Sequence, residues 1–283
     1  MTEKYDIRPE QSVELLKELH ILTRDGKLNQ DSRRKLKQVY HLFQFIEPLL
    51  KDVQQSGKGI TLVDHGAGKS YLGFILYDLF FKQETGLDFR IYGIETRDEL
   101  VARSTELAQR LGFGGMEFLN LSVADSIVSD KLPQQVDVVT ALHACNTATD
   151  DAIAFALEKK AKHIVLVPCC QAEVAAVLRK NKGKALANPL AEIWRHPIHT
   201  REFGSHITNV LRCLQLEAHG YQLNVTELVG WEHSMKNELI IASYKNLPRR
   251  KPTERLQALL SAIGLEELAP RFFTSRTEAH GTD

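Results

Sequence analysis

The sequence predicts an α/β fold in which helices cover a doubly wound, mostly parallel sheet. Short apolar runs alternate with amphipathic segments between residues 60 and 244, the rhythm of repeated strand–helix units. The run IVLV at 164–167 contains no polar residue, which is typical of a strand buried on both faces. A glycine-rich turn, HGAG at 65–68, directly follows the first run, as it does in Rossmann-like sheets.

The composition is that of a globular protein without a dominant charge. The 283 residues include 36 Lys and Arg against 36 Asp and Glu, and 43% are hydrophobic. This balance excludes a protein that is basic all over, so RNA binding would need a local patch. No run approaches the roughly 18 apolar residues of a membrane span. Four cysteines, two of them adjacent, do not resemble a disulfide scaffold, so we expect a cytoplasmic protein with no membrane partner.

Residues 1–56 are predicted to form an N-terminal helical cap. Within a helical stretch from 9 to 55, Asp31 and Ser32 are the expected capping residues. The basic face from Arg33 to Lys37 is interpreted as a solvated surface, with a binding patch as the alternative. Apolar side chains recur every three or four residues and predict one buried stripe, made of Leu36, Val39, Tyr40, Phe43, Ile46, Leu50 and Val53.

Residues 57–246 are predicted to form the domain that contains the sheet. Strands are expected at 60–64, 89–95, 116–121, 136–142, 163–167, 222–229 and 238–244. Helices are expected at 71–81, 98–111, 149–158, 171–179 and 204–219. The last two strands are separated only by 230–237, which is too short for a crossover helix, so they should pair antiparallel.

Two further segments complete the predicted organisation. The stretch 181–200 interrupts the strand–helix rhythm and contains Trp194, His196 and His199, so it is interpreted as a lid or a surface excursion. Residues 247–283 are predicted to be a C-terminal extension. It should contain two short helices around Gly264, within 252–273, followed by a tail expected to be disordered.

The glycine-rich turn distinguishes between three kinds of cofactor site. A phosphate-binding P-loop would need a glycine at Val63, inside the strand, and a dinucleotide-binding turn would need one at Tyr71. Neither pattern fits. The pattern that remains is D-x-G-x-G, formed by Asp64, Gly66 and Gly68, and it resembles the first motif of class I S-adenosylmethionine (SAM)-dependent methyltransferases.

This resemblance implies SAM as the cofactor and assigns roles to nine residues. The glycine loop would accommodate the methionine part of SAM, and an acid at the end of the second strand would accept hydrogen bonds from the ribose hydroxyls. At the end of the third strand, near adenine, Ser122 stands where the family commonly has an acid. The implied cofactor-binding residues are Asp64, Gly66, Ala67, Gly68, Glu95, Ser122, Val123, Asp125 and His143.

Residues after the fourth and fifth strands are the candidates for the chemistry. Parallel strands end at one edge of a sheet, so these side chains should converge near the SAM methyl group. We interpret His143 as a residue that positions the substrate or removes its proton, because the pKa of histidine lies near neutrality. The predicted catalytic residues are His143, Cys145, Cys169 and Cys170.

Sequence elements around these residues resemble one branch of methyltransferase-domain proteins. The elements are LHAC at 142–145, TATD at 147–150, PCC at 168–170 and GWEHSMKNELIIA at 230–242, and the resemblance covers about 30–245. That branch includes a eukaryotic tRNA ribose methyltransferase. Two alternatives for the cysteines are a covalent role, as in RNA 5-methylcytosine methyltransferases, and a zinc site. The usual sequence motif of the covalent enzymes is missing, and the cysteine spacing typical of zinc sites is absent, so no metal is expected.

We therefore expect transfer of a methyl group from SAM to an oxygen or nitrogen nucleophile. RNA is one expected partner, through the basic residues Arg33 to Lys37 and PRRK at 248–251. The alternatives are a small-molecule or protein substrate, and a non-catalytic module that binds SAM or RNA. Salt-sensitive RNA binding would favour an RNA substrate, and a closed apolar pocket beside the methyl group would favour a small-molecule or protein substrate.

Overall fold

The computed structural model describes residues 7–68, 71–84, 86–142, 146–168, 172–181, 189–228, 238–246 and 251–273. The chain divides into two compact units, Met1–Cys169 with Asn224–Tyr244, and Cys170–Leu223 with Lys245–Asp283. The N-terminal helices belong to the same unit as most of the sheet. The division predicted from sequence, 1–56, 57–246 and 247–283, stays a prediction.

The sheet has seven strands and confirms the predicted α/β architecture. Its order is β3-β2-β1-β4-β5-β7-β6. The first five strands pair in parallel, and β7 runs antiparallel to β5. The strands are β1 (Ile60–His65), β2 (Phe89–Glu95), β3 (Met116–Asn120), β4 (Val138–Ala141), β5 (His163–Leu166), β6 (Tyr221–Glu227) and β7 (Glu238–Tyr244). Because order reverses beside β1, its carboxyl end lies at the switch point where such sheets bind ligands.

Helices alternate with these strands through most of the described chain. In the first unit they are α1 (Val13–Glu18), α2 (Gln30–Gln54), α3 (Tyr71–Leu79), α4 (Asp98–Leu111), α5 (Val123–Val128) and α6 (Thr147–Glu158). In the second unit they are α7 (Glu173–Lys180), α8 (Pro197–Ala218), α9 (Pro252–Ala262) and α10 (Ala269–Phe272). None of the described helices is both long and apolar enough to cross a lipid bilayer.

Helix α2 buries the apolar stripe that the sequence predicts, from Leu36 to Val53. Its start differs from the expectation: the cap is Asn29, whose side chain accepts a hydrogen bond from the Ser32 backbone N–H at 2.8 Å. Asn29 precedes the first helical residue, so its side chain can reach the unpaired N–H groups of the first turn. The stretch predicted as helical from residue 9 is also broken, because α1 ends at Glu18 and α2 begins only at Gln30.

A polar cluster around the buried His163 ring ties α2 to the amino end of β5. The His163 ring lies 2.9 Å from Asp52 Oδ2 through Nε2 and 2.8 Å from Ser243 Oγ through Nδ1. Lys162 Nζ also donates to the Asp52 carboxylate, at 2.9 Å. Hydrogen bonds from Lys162 and His163 hold the pKa of Asp52 below its ordinary value, although partial burial opposes them. The cluster fixes the long helix against the end of the sheet that lies opposite the switch point.

The second unit has its own apolar core. Val174, Leu211, Leu256 and Phe272 are buried in it, contributed by α7, α8, α9 and α10 respectively. Trp194 is buried in the same core, stacked on Phe203 with ring centroids 5.1 Å apart. The segment interpreted as a lid or excursion therefore contributes a core residue to this unit. Residues 182–188 of that segment lie outside the described part.

We predict that Asp52→Asn lowers the free energy of unfolding by about 0.5–1.5 kcal/mol at pH 7, because the buried His163 ring loses a charged partner that is itself partly screened by solvent. The difference should shrink as the pH falls below about 4, where the wild-type carboxylate takes up a proton and its stabilisation is lost. Urea unfolding at pH 7 and pH 3.5 measures both effects. Asp31→Asn on the same helix removes an exposed pair with Lys35 and should change stability by less than about 1 kcal/mol.

Candidate functional site

The glycine loop after β1 is fastened to the end of β2 by two backbone donors. The Ala67 N–H donates to the Ile94 carbonyl at 3.0 Å, and the Gly68 N–H donates to Glu95 Oε2 at 2.8 Å. Gly66 and Gly68 have φ angles of +63° and +56°, a region that glycine adopts without strain. The glycine loop and Glu95, which are predicted to bind the cofactor, are therefore joined directly by a hydrogen bond.

Glu95 is a buried, ionised acceptor at this point. It is 7% exposed, and Oε1 accepts hydrogen bonds from the backbone N–H groups of Thr96 and Arg97 at 3.0 and 3.1 Å. The Arg97 guanidinium donates to both carboxylate oxygens, at 3.0 and 3.2 Å. Burial alone raises the pKa of Glu95, but the hydrogen bonds from Arg97 and Gly68 outweigh it and keep the pKa below its ordinary value.

Asp64 and His65 end β1 as two buried groups that point to opposite faces of the sheet. Thr140 Oγ1 donates to Asp64 Oδ1 at 2.6 Å, across the parallel pair of β1 and β4. Burial raises the pKa of Asp64 to about 7. The His65 ring packs edge-on against Phe155 of α6, with centroids 4.5 Å apart, and its nitrogens have no hydrogen-bond partner in the part of the chain that the structure describes. Burial lowers the pKa of His65 to about 3, so its imidazole is neutral at pH 7.

The end of β3 lies beside Glu95, where the sequence places the adenine contacts. The Leu121 N–H donates to the Glu95 carbonyl at 3.2 Å. Ser122 caps α5: its Oγ accepts from the Asp125 N–H at 3.0 Å and donates to the Asp125 carboxylate at 2.6 Å. Val123 lines the cavity described next, whereas Ser122 and Asp125 do not. Their binding of adenine stays a prediction.

A cavity of about 710 Å³ opens at this edge of the sheet, entirely within the first unit. One end is formed by the loop and its neighbours: Gly66, Ala67, Gly68, Glu95, Thr96, Arg97, Leu121 and Val123. We call this the cofactor end. We call the rest of the lining the apolar end, because it includes residues that follow β5 and β6, on the opposite side of β1 from β2 and β3. It consists mainly of Val39, Leu42, Leu72, Ile75, Val167 and Leu228, together with Gln38 and Tyr71. Among the described lining residues, the charged side chains are Glu95 and Arg97.

Sequence reasoning missed the contribution of α2 and α3 to this cavity. Val39 was recognised only as part of a buried stripe, and Leu42 and Gln38 were not singled out at all. The apolar pattern that predicts core burial cannot separate a residue that packs on neighbours from one that lines a cavity. A weak signal is that Leu42 and Gln38 lie just beside the stripe on the same helix.

The predicted catalytic residues His143, Cys145, Cys169 and Cys170 lie outside the described residues. His143 as a cofactor-binding residue, and the zinc alternative that involves these four residues, therefore stay untested as well. Their neighbours are described: Leu142 precedes His143 and lines the cavity, as does Val167, two residues before Cys169. The residues that directly follow β4 and β5, Leu142 and Val167, therefore both line the cavity.

The sequence of residues 34–177 matches the family described as "Methyltransferase domain". This match spans β1 to β5, the glycine loop, Glu95 and most of the cavity lining. The chain belongs to this methyltransferase family. With its glycine loop at the switch point of a seven-stranded sheet, it is a class I SAM-dependent methyltransferase, and SAM is its cofactor.

Solved structures of several methyltransferases are similar to this methyltransferase. Magnesium protoporphyrin IX methyltransferase from Synechocystis PCC 6803, with bound S-adenosylhomocysteine (SAH), is 13% identical, with a TM-score of 0.45 over 82% of this chain and 93% of that one. An rRNA methylase from Streptococcus thermophilus is 8% identical, with a TM-score of 0.43 over 66% and 87%. Fibrillarin from Aeropyrum pernix, with natively bound SAM, is 13% identical, with a TM-score of 0.40 over 65% and 66%. No curated protein matches the sequence significantly.

We predict that Thr140→Val destabilises this methyltransferase more at pH 8.5 than at pH 5. The pKa of Asp64 is higher in the folded state than in the unfolded chain, so its ionisation costs stability as the pH rises from about 4 to about 7. Above pH 7 the Thr140 hydroxyl bonds to a carboxylate, and its loss should cost about 1.5–3 kcal/mol, against about 1 kcal/mol for the neutral acid at pH 5.

Urea unfolding at the two pH values measures this difference. Thr140→Ser keeps the hydroxyl and serves as the control, with a loss that should not depend on pH. An equal loss for Thr140→Val at both pH values would show that Asp64 does not titrate in this range.

Proposed function

We propose that this methyltransferase transfers the methyl group of SAM to an oxygen or nitrogen nucleophile, and that the loop Gly66–Ala67–Gly68 and Glu95 hold the cofactor. The observation that supports this most directly is the hydrogen bond from the Gly68 N–H to the Glu95 carboxylate. It brings the glycine turn and a buried, ionised acceptor together at one end of a cavity large enough for a drug-sized ligand.

The residues at the cofactor end fit the chemistry of SAM. An ionised carboxylate accepts hydrogen bonds and offers no donor, so Glu95 suits two ribose hydroxyls. Its present donors divide into two kinds: the backbone N–H groups are fixed, whereas the Arg97 side chain is 59% exposed and can move into water. Bound SAM supplies an electrophilic methyl group on its sulfur. Glu95, once Arg97 has moved, would orient the ribose and thereby the rest of the cofactor.

The chemistry at the other side of the methyl group is proposed from sequence. His143 would position the acceptor and take up its proton, with Cys145, Cys169 and Cys170 nearby. Leu142 and Val167, which adjoin these residues in sequence, line the cavity and support that location. The relation to a tRNA ribose methyltransferase branch, the covalent role of a cysteine, a non-catalytic module and a cytoplasmic location are retained as hypotheses.

RNA is retained as a second candidate acceptor. The basic stretch from Arg33 to Lys37, near the start of α2, directly precedes Gln38, which lines the cavity. Lys35 bonds to the Asp31 carboxylate at 2.8 Å and to the His20 carbonyl at 2.9 Å. Lys251, at the end of the second basic stretch, bonds to Glu254 at 2.9 Å. RNA phosphates would have to compete with these acidic partners. Salt-dependent tRNA binding is the measurement that tests this candidate.

We predict that Glu95→Gln weakens SAM binding by about 10- to 100-fold, because hydrogen bonds between the ribose and a charged acceptor are lost. Isothermal titration calorimetry with SAM and with SAH measures the affinity. Glu99→Gln, an exposed acid in the first turn of α4, is the matched control and should bind SAM as the wild type does. The proposal fails if the wild type binds neither SAM nor SAH.

We further predict that Arg97→Gln tightens SAM binding by about two- to fivefold. In the free protein the exposed guanidinium bonds to the buried carboxylate that the ribose needs, so the ribose hydroxyls must displace it. Calorimetry at low and high salt should show that the gain is smaller at high salt. Weaker binding by the variant would indicate that Arg97 contacts the bound cofactor instead of competing with it.

A further inference from the structure

We propose that the apolar end of the cavity binds a small, neutral, aromatic methyl acceptor and that the Tyr71 hydroxyl forms a hydrogen bond with it. This inference rests on the proposed function, since it assumes that SAM occupies the cofactor end. The inference goes beyond the proposed function because it names the chemical class of the acceptor and a residue that positions the acceptor. The observation that carries it is the separation of polar and apolar lining residues within one cavity.

The described lining of the cavity favours a neutral acceptor at the apolar end. Glu95 and Arg97, the charged side chains among its described lining, both belong to the cofactor end. A phosphate or carboxylate at the apolar end would lose its water shell without gaining an ionic partner from the described lining residues, which is costly. The same reasoning applies to SAM, whose charged ammonium, carboxylate and sulfonium groups would find no ionic partner among the apolar residues. This end is therefore available to a second, neutral molecule.

The apolar end is built on regular secondary structure. Val39 and Leu42 lie on α2, and Leu72 and Ile75 on α3, while Val167 and Leu228 directly follow β5 and β6. Val39, Leu72 and Ile75 are also part of the buried core of the unit, which holds them in place. A preformed apolar site favours a rigid molecule with a large apolar face, since little conformational freedom is lost on binding.

Tyr71 supplies a polar group suited to such a molecule. It is the first residue of α3 and lines the cavity. Burial raises the pKa of Tyr71, so its hydroxyl keeps its proton and can donate a hydrogen bond at neutral pH. Among the described residues its hydroxyl has no hydrogen-bond partner. A hydroxyl or amine on the edge of an aromatic acceptor would provide one.

Binding of 2-naphthol to the protein saturated with SAH tests the proposal, and the fluorescence of 2-naphthol gives a readout independent of activity. Leu42→Phe adds volume to the apolar end and should weaken 2-naphthol binding by about tenfold or more, while the Kd for SAH stays within about twofold. Leu49→Phe, a half-buried residue two turns later on α2 that does not line the cavity, is the matched control and should leave both affinities unchanged.

A second variant tests the hydrogen bond. Tyr71→Phe should weaken the binding of 2-naphthol by about fivefold but leave naphthalene, which has no hydroxyl, unaffected. The inference is overturned if 2-naphthol and SAH exclude each other, if 2-naphthol does not bind, or if labelled SAM methylates tRNA but neither phenol nor 2-naphthol. Failure of SAH itself to bind would contradict the proposed function. SAH binding without 2-naphthol binding would contradict only this inference.

Discussion

The hydrogen bond from the Gly68 N–H to the Glu95 carboxylate is the interaction on which the cofactor end depends. It joins a turn that needs two residues with positive φ to an acid that would otherwise be costly to bury. The Gly68 N–H of the turn gains a hydrogen-bond acceptor, and the buried Glu95 carboxylate gains a donor. Parallel pairing of β1 and β2 makes this possible, since it brings the carboxyl ends of the two strands to the same edge of the sheet.

The two acids near this edge, Glu95 and Asp64, have pKa values shifted in opposite directions. Glu95 has six donors around its carboxylate, which keep its pKa low. Asp64 has the Thr140 hydroxyl as its one donor among the described residues, and burial raises its pKa to about 7. Glu95 could exchange its exposed Arg97 donor for a ligand, whereas Asp64 is buried to 4% exposure. Asp64 as a cofactor-binding residue stays a prediction.

The sequence predicted the sheet and the helices around it well, because both depend on local apolar patterns. It located β2 and β7 to the residue, but placed the start of α2 wrongly and missed the short α5, whose six residues are too few to establish a period. In the site, the glycine pattern and Glu95, the acid that ends β2, could be recognised from their positions relative to the strands. The apolar end could not, since its residues come from segments far apart in the chain.

Helix α2 shows why the acceptor is harder to deduce than the cofactor. The residues expected to recognise the cofactor are mainly a contiguous loop and the acid that ends β2, so their pattern can be read along the chain. The apolar end depends instead on the shape that remains between α2, α3 and the strand ends after packing, and Val39 serves the core and the cavity at once. A substitution such as Val39→Ile would leave the periodic pattern intact yet change the space available to a substrate. Specificity in this fold is therefore set by packing between distant segments, which composition and spacing do not record.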